Sequence, residues 1–306
     1  MDQSGVASDR SLTVERAARL SRWLPKCNFP PTGTPLRCGV SGGADSLALL
    51  ALAAASGCDV TAVHIDHRQR PENEASLVAS YADEVGAAFE SAVVDVEPGA
   101  NLEARMRAAR YSILGASAST GHTLDDQAET VLINLLRGSG IRGLGAMSPG
   151  VRRPILGLRR AHTEAVCDVM GWEYFVDPSN ASPDFVRNRV RHELVPLLND
   201  ISGRDVAPLL ARTAQQAGDT QAVIDDLASD VDPSDALSLQ RQPEPVVAAA
   251  VQTWIRSETG DEYVIDAASV DRVLAVIRGD VKAAEVTGGW RIERSKQRLS
   301  IAPPAV

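Results

Sequence analysis

Short apolar segments alternate with helical patterns through the first hundred residues. Apolar runs at 36–40, 59–66 and 88–96 predict buried strands, and the stretches 46–56 and 72–86 between them predict helices. Strands and helices that alternate at this spacing form a parallel sheet with right-handed crossovers. The fold class predicted is therefore α/β, with a doubly wound, mostly parallel, Rossmann-like sheet.

The alternation continues to about residue 200. The pattern predicts helices at 101–114, 124–136, 160–170 and 185–198, and a strand at 151–156. These elements extend the first domain beyond the initial three strands.

The segment before His122 is short for this kind of fold. Only ten residues separate Tyr111 from His122, and they must hold the end of a helix and a further strand. We therefore expect a very short strand within 116–121, or a remodelled sheet edge.

The second part of the chain has a different character, because arginines thin out after residue 200. We expect residues 1–205 to form the larger domain, and 206–306 to form a helical linker with a small C-terminal α+β domain. The elements predicted here are helices at 203–229, 244–258 and 266–278, and paired strands at 283–287 and 290–301 that turn at Gly288-Gly289.

Composition indicates a cytoplasmic protein with no membrane partner. Of the 306 residues 44% are apolar, yet no apolar run approaches the ~20 residues that span a bilayer. The first residues lack the pattern of a secretory signal. The four cysteines form no Cys-x-x-Cys pair, which favours reduced thiols over a disulfide framework or a zinc site.

Charge is distributed unevenly along the chain. The net charge is −9, but residues 101–192 contain 12 arginines and nine acids, which leaves −12 for the remainder. A basic middle segment can form a phosphate-binding face, although scattered arginines on solvated helices would give the same count. The three lysines, Lys26, Lys282 and Lys296, lie outside every motif below, which excludes a Walker loop and a lysine-adenylate ligase.

A six-residue loop, Ser41-Gly42-Gly43-Ala44-Asp45-Ser46, joins the first predicted strand to the first predicted helix of the sheet. Its glycines allow a tight turn with exposed N–H groups, and the following helix directs its positive dipole end to the same place. The loop therefore predicts a phosphate site, to which the Ser41 and Ser46 hydroxyls add donors. Asp45 would repel phosphate, so it implies Mg²⁺ between carboxylate and pyrophosphate. A simple strand-to-helix turn is the alternative.

A second motif is His122-Thr123-Leu124-Asp125-Asp126-Gln127-Ala128-Glu129-Thr130. Asp125 and Asp126 are four and three residues from Glu129, so on a helix these acids can share a face. We expect the start of this helix at the carboxyl edge of the sheet, beside the loop from Ser41 to Ser46, which we call the phosphate loop. Acids that merely favour the helix dipole, and a structural His122, are the alternatives.

Arginines recur in two predicted helices. One contains Arg105 and Arg110, and the other contains Arg187 and Arg191, which are four apart and share a face. Such pairs bind phosphate or stabilise charge that grows on an activated intermediate. A solvated helix face is the alternative for each pair.

These motifs carry a resemblance to known families. The loop from Ser41 to Ser46 resembles that of the PP-loop ATP pyrophosphatases, which cleave ATP to AMP and pyrophosphate. Over about residues 36–200, the motifs resemble those of the tRNA(Ile)-lysidine synthetases in order and spacing, including His64-Ile65-Asp66-His67 and Leu135-Leu136-Arg137-Gly138-Ser139-Gly140. Members of that family adenylate the wobble cytidine of the isoleucine tRNA with a CAU anticodon. The ε-amine of free L-lysine then attacks carbon 2 of that cytosine and expels AMP, which forms lysidine.

The resemblance implies a role for each matching position. ATP is expected on Ser41 to Ser46, with Mg²⁺ on Asp45. Four residues are expected around the reacting centre and the lysine amine: His122, Asp125, Asp126 and Glu129. Four arginines are candidates for anchoring ATP, the intermediate or the tRNA: Arg105, Arg110, Arg187 and Arg191. The smaller C-terminal domain is expected to help hold the tRNA, and a homodimer is left open.

Two other functions share parts of this pattern. A tRNA thiolation enzyme uses the same loop, but such enzymes commonly use paired or catalytic cysteines, and no cysteine here lies in such a motif. A non-catalytic nucleotide-binding module has little use for Asp45 together with the acids at 122–130. Both are weaker than the ligase interpretation.

Overall fold

The structure is a computed structural model that divides into two compact units, Met1–Gln215 and Gln216–Val306. The boundary between them lies inside a long helix, Ala207–Ser229. The sequence analysis places the domain boundary after residue 205. The division into a larger domain at 1–205 and a linker with a small domain at 206–306 stays a prediction. The residues described are 13–66, 74–94, 105, 109, 112–115, 117–177, 182–259 and 265–304.

Within its described residues, the first unit contains four strands and a series of helices between and after them. In chain order the elements are α1 (Val14–Leu20), β1 (Pro35–Gly39), α2 (Ala44–Ala55), β2 (Asp59–Asp66), α3 (Glu74–Glu84), β3 (Ala88–Val93), β4 (Ser119–Thr120), α4 (Leu124–Leu136), α5 (Ile141–Leu144), α6 (Arg160–Met170), α7 (Val186–Arg189), α8 (Val195–Ser202) and α9 (Ala207–Ser229).

The four strands form one parallel sheet in the order β3-β2-β1-β4. The chain therefore moves outward from β1 to β3 and then returns to the other side of β1. This reversal makes a switch point between β1 and β4, where the loops after both strands open onto the same crevice. The predicted doubly wound α/β fold is confirmed.

Both faces of the sheet are covered, as this fold requires. Successive residues of a strand point to opposite faces. On β2, Ala62 belongs to the main core with α2 and α6. Its neighbour Val63 packs instead in a small cluster with Leu114 and Ala118.

Helix α2 lies at the centre of the first unit. Its eight residues from 46 to 53 are all buried, so the helix is apolar on every side, which is typical of a core helix. It ends at Ser56-Gly57, where Gly57 adopts the left-handed conformation with φ of +82°. A fully enclosed α2 fixes the position of the loop at its N-terminus.

The short strand expected before His122 is confirmed as β4, which pairs with β1 through two residues, Ser119 and Thr120. The strand expected at 151–156 is wrong. Pro154 lacks an N–H group and cannot continue a ladder. The segment instead turns, with one isolated bridge between Gly150 and Arg153.

The helix expected at 185–198 is present as a continuous helical segment over 186–202. Its middle turn, Val190–Leu194, is a π-helix in which the N–H of Val195 donates to the carbonyl of Val190. Pro196 follows at the start of α8 and lacks the N–H that a regular helix needs at that position. The wide turn contains Arg191.

The second unit has its own core. It contains the end of α9, then α10 (Ala236–Gln240), α11 (Glu244–Thr259), α12 (Ala267–Arg278), β5 (Ala283–Glu285), β6 (Arg291–Ser295) and β7 (Arg298–Ala302). The strands form an antiparallel sheet in the order β5-β6-β7. The single strand expected at 290–301 is corrected to two, because the chain turns at Lys296, whose φ is +57°. Among the described residues, no helix is long and apolar enough to cross a membrane.

Candidate active site at the carboxyl edge of the sheet

The loop between β1 and α2 is held by hydrogen bonds within itself. The N–H of Ser41 donates to the hydroxyl oxygen of Ser46 at 3.0 Å, and that hydroxyl donates to the carbonyl of Gly43 at 2.9 Å. Gly42 has φ of +71°, which favours glycine. The buried Ser46 hydroxyl therefore braces the loop, whose role as a phosphate site stays a prediction.

A distant segment closes over the same loop. The N–H of Phe175 donates to the carbonyl of Gly42 at 3.0 Å. A Cβ atom on Gly42 would lie 2.8 Å from Oε1 of the buried Glu74 and 3.2 Å from the Phe175 ring. Together with its φ of +71°, these two contacts favour glycine at position 42.

Asp45 points from the first turn of α2 towards α6. Its Oδ1 accepts a hydrogen bond from the Thr163 hydroxyl at 2.5 Å, and its Oδ2 lies 3.8 Å from Nε of Arg160. Burial raises the pKa of the Asp45 carboxyl to about 6. The Thr163 hydrogen bond and the charges of Arg160 and Arg191 oppose this rise, whereas the charge of Asp126 adds to it. A cation beside Asp45 would favour its charged form.

Two buried acids of α4 are surrounded by three arginines. Glu129 accepts from Nε and Nη2 of Arg191 at 2.7 and 3.1 Å, and from Nε of Arg187 at 2.8 Å. Asp126 Oδ1 accepts from Nη2 of Arg187 at 3.0 Å. Arg160 Nη2 lies 3.3 Å from Asp126 Oδ1 and 3.5 Å from Glu129 Oε1. We call these five residues the arginine–carboxylate cluster.

The other oxygen of Asp126 caps its own helix. Asp126 Oδ2 accepts from the N–H and the hydroxyl of Thr123 at 2.8 and 2.9 Å, which completes a capping box. Burial alone would raise the pKa of Asp126. The Arg187 charge, the Thr123 N–H and the Arg160 charge outweigh it and hold that pKa below its ordinary value. Asp126 therefore stays ionised and fixed in place.

Asp125 turns away from the cluster. Its carboxylate accepts from Nε and Nη2 of Arg159 and, at 2.7 Å, from the main-chain N–H of Arg160. Arg159 also pairs with Asp205. Burial opposes ionisation of Asp125, but its hydrogen bonds to Arg159 and Arg160 lower the pKa below the ordinary value. Asp125 thus anchors the start of α6 and does not meet Glu129.

The remaining predicted residues are placed less centrally. His122 lies in the turn between β4 and α4, where its Nδ1 is 2.8 Å from the Thr120 hydroxyl. Arg105 is exposed. The predicted Arg110 and residues 67–70 lie outside the described part of the chain.

Among the described residues, three side chains that the motifs did not include bond their acids: Arg159, Arg160 and Thr163. They lie at the start of α6, more than a hundred positions after the phosphate loop. The only local signal is a pair of arginines before a helical pattern, which is also typical of a solvated helix.

The site suits a cation shared with phosphate better than a metal cage. Among the described residues, no group of three His, Cys, Asp or Glu side chains is arranged to hold a metal ion. Mg²⁺ is usually bound by one or two carboxylates together with substrate phosphates and water. A single carboxylate, Asp45, beside a phosphate loop fits that donor set.

The thiols do not form a second reactive centre. Burial raises the pKa of the Cys27, Cys38 and Cys167 thiols to about 12. Cys58 is partly buried, with its sulfur 3.2 Å from the Ser56 hydroxyl. Sulfur chemistry requires an accessible thiolate, so these surroundings argue against a thiolation enzyme.

Comparison with known proteins gives consistent matches. Residues 13–198 match the family model of a PP-loop domain. The chain is 38% identical over 298 residues to a tRNA(Ile)-lysidine synthase of Nocardia farcinica, covering 90% of this chain and 93% of that protein. It is 42% identical over 289 residues to a tRNA(Ile)-lysidine synthase of Rhodococcus opacus, covering 86% and 88%. Among solved structures, NMN synthetase from Francisella tularensis overlaps with a TM-score of 0.36 at 12% identity, over 66% of this chain and 92% of that chain.

Proposed function

The chain belongs to the tRNA(Ile)-lysidine synthase family of PP-loop proteins, and from this we propose that it uses ATP to join free L-lysine to the wobble cytidine of CAU-anticodon tRNA(Ile). The observation that carries the proposal is the position of Arg160. Its guanidinium reaches Asp45 of the phosphate loop on one side and Asp126 and Glu129 on the other. We therefore treat the phosphate loop and the arginine–carboxylate cluster as two parts of one site.

The first step is adenylation of the cytosine. The carbonyl oxygen on carbon 2 attacks the α-phosphorus of ATP, and pyrophosphate leaves. Negative charge grows on the transferring and leaving phosphates. The loop N–H groups and the guanidinium groups of Arg160, Arg187 and Arg191 are the donors that would stabilise such charge.

The second step is attack by lysine. Its neutral ε-amine forms a bond to carbon 2, the bond from carbon 2 to the adenylated oxygen breaks, AMP leaves with that oxygen, and the nitrogen loses a proton. We place this amine beside Asp126 and Glu129. When a guanidinium group turns from a carboxylate towards a phosphate, that carboxylate becomes free to accept a hydrogen bond from the amine. Asp126 and Glu129 thus hold the arginines before the first step and the lysine amine in the second.

A divalent cation completes the phosphate site. Asp45 would hold Mg²⁺, which neutralises charge on the pyrophosphate. The tRNA presents an unstacked loop base, the form in which proteins recognise single RNA bases. ATP, free lysine and tRNA meet in the cytoplasm, where we place the reaction.

Incorporation of labelled lysine tests the proposal. The purified protein with ATP, Mg²⁺, labelled L-lysine and unmodified CAU-anticodon tRNA(Ile) is expected to release AMP and pyrophosphate and to label the tRNA. The same tRNA with a GAU anticodon is expected to stay unlabelled. Folded protein that releases no AMP and transfers no label to the CAU tRNA would refute the proposal.

A variant and its matched control test whether the phosphate loop takes part in the reaction. Asp45→Asn is expected to lose turnover far more than tRNA affinity, because it removes a cation ligand and not an RNA contact. Asp59→Asn, at the exposed start of β2, is expected to behave as wild type. Equal loss of turnover and tRNA affinity in Asp45→Asn would contradict the role of Asp45.

A further inference from the structure

One face of α6 lies against the phosphate loop. Arg160, Thr163 and Cys167 follow one another at helical spacing and therefore share a face. Arg160 and Thr163 approach the two oxygens of Asp45, and the Cys167 sulfur lies 3.7 Å from the carbonyl of Ala44. The first turn of α2 is thus in contact with α6 along two turns of that helix.

Two hydrogen-bond acceptors lie within reach of the Thr163 hydroxyl. Thr163 is completely buried, and its Oγ1 is 2.5 Å from Asp45 Oδ1 and 2.7 Å from the carbonyl of Arg160 in its own helix. A hydroxyl has one proton to donate. The ionised carboxylate is the stronger acceptor, so the proton is directed to Asp45 and away from the helix.

This hydrogen bond restricts the Asp45 side chain. An aspartate side chain has several rotamers and a broad terminal torsion. Thr163 holds Oδ1, and Oδ2 then lies on the side of Arg160. The carboxylate is therefore fixed by a residue 118 positions away in sequence.

We propose that Thr163 is a positioning residue, whose hydroxyl holds the Asp45 carboxylate in the orientation that binds the divalent cation accompanying ATP. The inference deepens the proposed function, because it rests on Asp45 as the cation ligand. Hydrogen-bond partners of metal ligands commonly contribute about 10- to 100-fold to metal affinity. A purely structural Thr163 would contribute to folding stability alone.

Two substitutions isolate the hydroxyl. Thr163→Ser and Thr163→Ala both remove the methyl group and differ only in the oxygen. Mn²⁺ binding to the protein–ATP complex is measured by electron paramagnetic resonance without tRNA or lysine, and ATP affinity is measured with and without Mg²⁺. Thr163→Ala is expected to weaken Mn²⁺ binding about 10-fold relative to Thr163→Ser, with metal-free ATP affinity unchanged.

A control and a double variant complete the test. Thr213 is exposed, and its hydroxyl donates to the Leu209 carbonyl of its own helix, so Thr213→Ala is expected to leave Mn²⁺ binding unchanged. In an Asp45→Asn background, Thr163→Ala is expected to add no further loss.

Equal Mn²⁺ affinity in the folded Ser and Ala variants would overturn the inference, as would losses that add fully in the double variant. Because tRNA and lysine are omitted, a failure of lysine incorporation leaves this result unaffected. The two proposals can therefore fail separately.

Discussion

Gly121 lies so close to Asp45 that a Cβ atom on Gly121 would be 2.6 Å from the main-chain oxygen of Asp45. It would also be 3.0 Å from the main-chain nitrogen of Ser46. Both neighbours are backbone atoms at the start of the enclosed helix α2, and backbone cannot move aside as a flexible side chain can. The turn after β4 and the phosphate loop therefore share one tightly packed junction, which joins two motifs that are far apart in sequence.

Gly121→Ala is expected to displace this junction and to weaken ATP binding at least about 10-fold, because misplacement of loop N–H groups removes several hydrogen bonds to phosphate. Isothermal titration with ATP and Mg²⁺ measures the change. Gly218→Ala in α9 is the control, because nothing lies within 4 Å of its Cβ position. ATP binding by folded Gly121→Ala at wild-type affinity would contradict the packing described.

Glu129→Gln is expected to impair both steps of the reaction. Its carboxylate bonds Arg187 and Arg191, so loss of the charge leaves two guanidinium groups poorly compensated. Arg187 and Arg191 are partly exposed and keep Asp126 as a partner, so the expected loss of stability is smaller than for a fully buried ion pair. Pyrophosphate release with tRNA but without lysine measures adenylation alone. If Glu129 served only the lysine amine, that half-reaction would be unchanged and only the KM for lysine would rise.

Arg191→Lys is expected to slow adenylation about 100-fold, because a lysine cannot reproduce the two-point contact with Glu129 or offer the same planar donors to phosphate. Arg189→Lys is the matched control in the same helical segment. Arg189 pairs with Glu193 on the exposed surface, where solvent screens an ion pair and its contribution is small. Similar pyrophosphate release by both variants would show that the contact with Glu129 is not required.

Asp125→Asn is expected to lower the unfolding free energy by about 1–3 kcal/mol near neutral pH, because the charged carboxylate holds Arg159 and the start of α6. The folded pKa of Asp125 lies below the ordinary value. Its contribution is therefore complete above the unfolded pKa of about 3.9 and is lost as pH falls through the folded pKa. Urea unfolding of both proteins at a series of pH values measures the difference. A gap that stays constant down to about pH 3 would contradict the assignment.

Local patterns were sufficient for the elements that position the site. The apolar run of α2, the glycines of the phosphate loop and the acids at the start of α4 are encoded within a few residues each. The shared face of Asp126 and Glu129 also follows from helical spacing alone.

Partners across the fold could not be predicted in the same way. Helical spacing allows Asp125 to join Glu129, but Asp125 turns to Arg159 because α6 begins beside it. The contribution of Thr163 depends on contact between α6 and α2, which no pattern within either helix specifies. The apolar residues of 151–156 favour a strand, but Pro154 within the segment cannot continue a ladder, and the chain turns there.

Several residues that bond each other in the site are far apart in sequence, which affects when the site can form during synthesis. Asp45 meets Thr163 across 118 positions, and Glu129 meets Arg191 across 62. Contacts between distant residues need the long loop between them to close before they stabilise the chain, which slows folding relative to local contacts. During synthesis the ribosome must release the chain beyond Arg191 before the arginine–carboxylate cluster can form. A chain truncated before the π-helical turn would have its phosphate loop and four members of the arginine–carboxylate cluster, and would still lack Arg191, which contacts Glu129 through two nitrogens.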